Sequence, residues 1–244
     1  MMARQTPNQI PWDPQSTVFP TRTELPTIPG APEQAAWVWG EDDNANGDDV
    51  VGPNANKKCS IEHWAQRGIA GRGILLDFRE YAKKHGINYD AYDTCEISFQ
   101  QLVDCGKEQG IDIRPEAQGG DIKIGDILFV RSGWVETYYQ KSVEELKVLE
   151  ARGLEELKFV GLSQEQAILD WLHDSYFAAV AGDAPTFEAW PTNEAYHLHE
   201  YILSLWGMPL GEMLQLEKLA EKCRERKKWT FFFTSAPANC PIRM

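Results

Sequence analysis

The sequence predicts an α/β domain, on three observations. Short β-rich runs alternate with helical stretches. A capping pattern marks one helix start. A composition of 43% hydrophobic and 25% charged residues is that of an ordinary globular protein. The 244 residues suffice for one large domain or two small ones. With no repeat at a fixed period, one domain preceded by an arm is the simplest organisation.

Residues 1–40 read as the arm. Seven of the 14 prolines fall at positions 7, 11, 14, 20, 26, 29 and 32, so this stretch cannot sustain regular ladders and is expected to run extended over the surface. Its Trp12, Phe19, Trp37 and Trp39 supply apolar anchors for docking. Residues 41–56, EDDNANGDDVVGPNAN, are almost free of apolar side chains and rich in turn formers, which predicts a solvated acidic loop.

Residues 57–244 carry the alternation. Strands are expected over Ile74 to Phe78, Asp126 to Arg131, Phe177 to Ala181 and Trp229 to Thr234. Helices are expected to begin near Phe78, Ser98, Ser142, Ser163, Thr192 and Leu214. At Ser163-Gln-Glu-Gln166 the spacing fits a capping box, with Ala167, Ile168 and Leu172 forming the apolar face that follows. Alternating strands and helices bury apolar faces in layers, which is the α/β architecture.

Charge excludes several function classes. With 24 Lys and Arg against 37 Asp and Glu, the formal net charge of −13 repels phosphate backbones and anionic lipid heads, so neither nucleic acid nor a membrane is an expected partner. The longest apolar stretches fall far short of the roughly 20 residues that cross a bilayer. The start MMARQTPNQIPWDPQ has neither the apolar centre of a secretory signal nor an amphipathic transit pattern, and Cys59, Cys95, Cys105, Cys223 and Cys240 form no CxxC pair. Reduced thiols and a cytoplasmic location are the expectation.

Several short motifs fail on chemistry. Asp42, Asn44, Asn46 and Gly47 fit the opening of an EF-hand loop, but Pro53 stands where the closing bidentate Glu is needed. Gly68-Ile-Ala-Gly71-Arg-Gly73 leads into a strand rather than opening a helix, so it reads as a tight turn and not a phosphate cradle. Around Ser163 the second Gly of a nucleophile elbow is missing, and His199-Glu200 lacks the second His of a zinc-protease helix, position 203 being Leu.

The C-terminal half offers more. Ala181-Gly-Asp-Ala-Pro185 follows a strand, placing Asp183 where α/β sheets usually meet ligands. His197 and His199, two residues apart on a helix, cannot face the same way, so only one can serve a site. The turn-rich Trp206-Gly-Met-Pro-Leu-Gly211 could fold Glu212 back beside the imidazole of His199.

Together these residues resemble the cyclase family that includes metal-dependent kynurenine formamidases, in particular its fungal branch. The resemblance covers FPTRTELPTIPGAPEQAAWVWGEDD, HWAQRGIAGRGILLDF, GIDIRPEAQGGDIKIGDILFVRSGW, AVAGDAPTFEAWP, LHEYILSLWGMPLGEMLQLEKLAE and FFFTSAPAN. It implies a cyclase-like swivelling β/β/α domain, a water activated by zinc or manganese, and hydrolysis of a small-molecule amide or ester. N-formylkynurenine, other small N-acyl compounds and lactones fit equally, and a homo-oligomer stays open. Carried over by position, the later metal ligands fall on His199 and Glu212. Arg131, Ser132 and Gly133 match the segment that lines the substrate pocket, and Asp183 lies in its DAP turn. The family's first metal motif, a WDG followed by a His, is expected before HWAQRGIAGRG, where this chain carries the acidic loop and, as a stray candidate, His63. A Gly-rich continuation after SAPAN is expected where the chain reads Cys240-Pro-Ile-Arg-Met244. The resemblance therefore implies an incomplete domain, an abridged gene model or splice form, and a second hypothesis beside the hydrolase: a non-catalytic remnant that keeps the fold.

Overall fold

The computed structural model describes residues 17, 19–25, 32, 34 and 62–237. The acidic loop, Cys59, Cys240, Trp12, Trp37 and Trp39 lie outside the described residues.

Five strands form the main sheet: β1 (Ile69–Leu76), β3 (Ile127–Val130), β5 (Ala179–Gly182), β6 (Leu210–Gly211) and β7 (Thr230–Ser235), in the order β6-β5-β3-β1-β7. The first four in that order run parallel, with Gly73 opposite Ile127, Ile127 opposite Ala179 and Val180 opposite Leu210. β7 closes the far edge antiparallel to β1. A second, parallel sheet pairs β2 (Cys95–Ile97) with β4 (Val160–Leu162). The expected β/β/α architecture is therefore present. The helices are α1 (Glu62–Arg67), α2 (Phe78–Lys84), α3 (Phe99–Gln109), α4 (Trp134–Gln140), α5 (Val143–Glu150), α6 (Gln166–Asp174) and α7 (Glu217–Arg226). None of the described helices is long and apolar enough to cross a membrane.

Strand alternation sorts the core. Ile74, Leu76, Leu128, Val130 and Val180 face a large cluster that also holds Phe78, Leu102, Leu162, Leu172 and Ile202. Leu75, Ile127, Phe129, Ala179 and Ala181 face the other way, onto Leu216, Ala220 and Cys223 at α7. β3 and β5 are buried along their whole length, as expected of parallel strands covered on both faces. At the edge strand the alternation reaches solvent: Phe231 and Phe233 pack on Phe129, while Phe232 is exposed.

Ser98 and Ser142 cap α3 and α5 through capping boxes with Gln101 and Glu145. Ser163 does not cap α6. Its amide donates to Ile97 O (2.9 Å) and its hydroxyl to Glu165 Oε1 (3.0 Å), and the helix opens only at Gln166. The residue still belongs to the pairing of β2 with β4, which takes the amide away from the helix. No helix begins at Thr192 either; the chain turns helical only at Leu198 and runs into a π-helical stretch at Glu200–Leu205. The described part of the arm lies on α6: Arg22 Nε meets Asp170 Oδ1 at 2.7 Å, its amide donates to Asp174 Oδ1 at 2.7 Å, and Phe19 packs edge-on against Tyr176.

Candidate functional site

Four neighbouring parallel strands end on acidic or polar residues: Asp77 after β1, Arg131, Ser132 and Gly133 after β3, Asp183 after β5 and Glu212 after β6. This is the carboxyl edge at which open α/β sheets usually bind ligands.

At one end of the edge stands His199. Its Nδ1 lies 2.7 and 2.9 Å from the two oxygens of Glu188, and its Nε2 lies 3.0 Å from Glu212 Oε1. Glu188 is wholly buried, and the backbone around it is clamped by β4: Leu162 N donates to Phe187 O and Ala189 N to Leu162 O, both at 2.9 Å. Gly161 makes that approach possible, since a Cβ there would sit 2.2 Å from the Glu188 carbonyl carbon. Glu212 is brought in by the pairing of Leu210 and Gly211 with Val180 and Ala181. The carboxylates, Glu188 first and Glu212 second, raise the imidazole pKa to about 10, so a proton and a divalent cation compete for this ring. Glu212 Oε1 is buried and has no hydrogen-bond partner among the described residues. It faces Nε2 of the protonated ring as an ion pair. His197 is turned away, stacked on Trp190 with ring centroids 5.2 Å apart.

The remaining predicted residues form a different cluster. Asp183, fully buried, accepts from Ser132 N (2.6 Å), Ser132 Oγ (2.8 Å) and Gly133 N (2.7 Å). Burial pushes its pKa up, against the pull of those bonds and of Arg131. The amides of Ser132 and Gly133 are thus spent on Asp183. A cavity of about 10 Å³ beside Ser132 and Asp183 has room for a single water. Arg131, 3% exposed, points into an ion network: Nη1 reaches Asp77 Oδ1 at 2.7 Å, Nη2 meets Glu136, and Arg224 Nη1 meets Asp77 Oδ2 at 2.6 Å. His63 sits exposed on α1.

Two residues escape the sequence reading. Glu188 could have been suspected, because a carboxylate between Phe187 and Ala189-Trp190 in a stretch this apolar needs a buried partner. Asp77 carries the weaker signal of an N-cap, its Oδ1 accepting from Glu80 N.

No family profile matches the sequence, and no curated protein matches it. Among solved structures, the chain superposes on a crystal structure described as a novel cyclase, with a TM-score of 0.57 and 24% identity, over 74% of this chain. The chain has the fold of that cyclase. It spans 52% of the cyclase's length, so about half of that protein has no counterpart here.

Proposed function

We propose that the chain is a metal-dependent amide or ester hydrolase of the cyclase type, allied to the arylformamidases that convert N-formylkynurenine to kynurenine. The observation that carries the reading is the alignment Glu188–His199–Glu212. A buried carboxylate on Nδ1 fixes the ring and raises its basicity, leaving Nε2 directed at a second carboxylate, which is the arrangement of a metal-ligating histidine with its supporting acid. These residues fit zinc or manganese as part of a donor set: His199 Nε2, once deprotonated, and Glu212 Oε1 would hold the ion in place of their ion pair. Such an ion supplies, when bound, a water of lowered pKa and a polarised substrate carbonyl. Glu188 holds the ring's orientation, and the clasp of Asp183 on Ser132 and Gly133 fixes the neighbouring strand ends. Arg131, Ser132, Gly133 and Asp183 are proposed to shape the substrate side of this edge.

A second reading, a remnant that keeps the fold without catalysis, draws on the donor count. Catalytic zinc sites use three protein ligands, and among the described residues no group of three or more His, Cys, Asp and Glu side chains is placed to hold a metal ion. The deciding experiment pairs metal analysis of the purified chain with N-formylkynurenine turnover in added zinc or manganese. Turnover on the order of 1 per second or faster, lost in His199→Ala and in Glu212→Ala, establishes the hydrolase. Metal well below one per chain with no turnover establishes the remnant.

A further inference from the structure

The two ends of the main sheet are built differently. At one end β6 has two residues, Leu210–Gly211, too short to template another strand. At the other, β7 runs for six residues, Thr-Phe-Phe-Phe-Thr-Ser, with no proline and no charge. Its register against β1 is unbroken from Thr230 opposite Ile74 to Ser235 opposite Ile69, so no bulge twists the strand away. Shortness, proline, charge and bulges are the usual protections of a sheet edge, and β7 has none of them.

The phase of the ladder shows which backbone groups face outward. Leu75 N donates to Trp229 O at 3.0 Å, and opposed residues in an antiparallel ladder alternate between pairs that exchange both N–H···O bonds and pairs that exchange none. Counted along the register, Phe231, Phe233 and Ser235 bond to β1, whereas Thr230, Phe232 and Thr234 turn their amides and carbonyls away from it. Among the described residues nothing pairs with those outward groups. Phe232 stands in the middle of the free stretch, 78% exposed, and its apolar area would gain by leaving water.

The order of side chains along this edge selects the occupant. Thr230-Phe231-Phe232-Phe233-Thr234 reads the same in both directions. A twofold axis at Phe232, normal to the sheet, therefore sets Phe232 opposite Phe232 of a second copy and each Thr230 opposite the other copy's Thr234. All of these residues carry outward backbone groups, so every pair in that register is of the bonded kind. Their side chains share one face, where aromatic–aromatic and Thr–Thr pairs across strands are favourable. Isologous contact requires a self-complementary patch, and a palindromic strand edge is one.

We propose that β7 is a self-association edge: two copies of this chain pair antiparallel through Thr230–Thr234, with Phe232 at the twofold axis, and join their five-stranded sheets into one. The pairing uses no residue of the Glu188–His199–Glu212 alignment, so it holds for the hydrolase and for the remnant alike. Weak interfaces lie below about 1,200 Å²; one strand pair with two apposed rings belongs there, and association is expected at micromolar concentrations.

The test is sedimentation equilibrium of the full chain across the micromolar range, where a monomer–dimer equilibrium is expected. Phe232→Glu and Phe232→Lys each put like charges opposite one another at the axis and remove the apposed rings, and each alone is expected to weaken the dimer about tenfold or more. Mixed in equal amounts, the two variants put opposite charges at the axis and are expected to associate more tightly than either alone, a result that requires residue 232 to meet residue 232 of the other copy. Circular dichroism checks their folds. Thr234→Pro removes an outward amide and no bond within the chain, a change edge strands tolerate; it too is expected to weaken the dimer, and it carries the test where the charged variants fail to fold. A parent chain that stays monomeric throughout the range overturns the proposal, whether the edge is then covered by the chain's own residues or by another protein. So does a dimer that the charged variants leave unchanged, a mixture that associates no better than its components, or a dimer unweakened by Thr234→Pro.

Discussion

Substituting Gly161 by Ala tests how tightly β4 clamps the segment that carries Glu188. An ideal Cβ at Gly161 falls 2.2 Å from Glu188 C, 2.3 Å from Glu188 O and 2.5 Å from Ala189 N, whereas ordinary contacts begin near 3.4 Å. All three atoms are backbone, so no rotamer change relieves the overlap, and the strand or the loop must move by about 1 Å. That movement strains the Leu162 N to Phe187 O and Ala189 N to Leu162 O hydrogen bonds. Overpacking of this kind costs about 1–3 kcal/mol, and weakening two hydrogen bonds adds roughly 0.5–1.5 each. A loss of about 4 kcal/mol in a chain of this size lowers the melting temperature by roughly 8–16 °C. The assay is thermal unfolding by circular dichroism, with Gly153→Ala as the matched control. There the added Cβ meets nothing within 4 Å, and φ is −67°. The control is expected at or slightly above the parent, because Ala restricts the unfolded chain. A Gly161→Ala melt within about 1 °C of the parent would refute the clamp.

Asp77→Ala takes one carboxylate from Arg131, whose side chain is 4% exposed and which keeps Glu136, and from Arg224; urea unfolding should show a loss of about 1.5–3 kcal/mol, and a loss below about 1 kcal/mol contradicts the network's role. Acid should expose a second part of that network. Burial alone would raise the pKa of Glu136, but Lys83, Arg131 and Arg79 outweigh it and hold the carboxyl at about 2, against an ordinary 4.5. A depressed folded-state pKa contributes stability that is complete above about pH 4.5 and drains away as pH falls toward 2. Glu136→Gln should therefore flatten the acid limb of the stability curve by about 1–2 kcal/mol after allowance for solvent screening, and an unchanged limb counts against the assignment. Ser142→Ala should cost about 1 kcal/mol through the lost cap of α5, read as a shift of the urea midpoint with unchanged slope.

The sequence by itself determined the α/β class, the presence of the four longer strands and the helix starts at Phe78, Ser98 and Ser142. Each rests on a local device: alternation along a strand, a cap, an apolar run long enough to bury. It also carried the resemblance that pointed to His199 and Glu212. Tertiary structure decided the rest. It set the bounds of β1, which begins at Ile69 inside the Gly68–Gly73 run expected to be a tight turn, because β7 offers that run a ladder. The short strands β2, β4 and β6, of two or three residues each, have no internal period to read, and they exist only because neighbours offer them a ladder. At Ser163 a fitting cap pattern lost to the pairing of its amide with Ile97 O, a partner distant in sequence. Glu188 became the support of His199 because Gly161, 27 positions earlier in the chain, leaves room for its backbone. Arg131 meets Asp77 because the ends of β1 and β3 lie side by side. Local sequence fixes the preference of a segment, but the partner of a buried charge is set by which strand ends the sheet brings together.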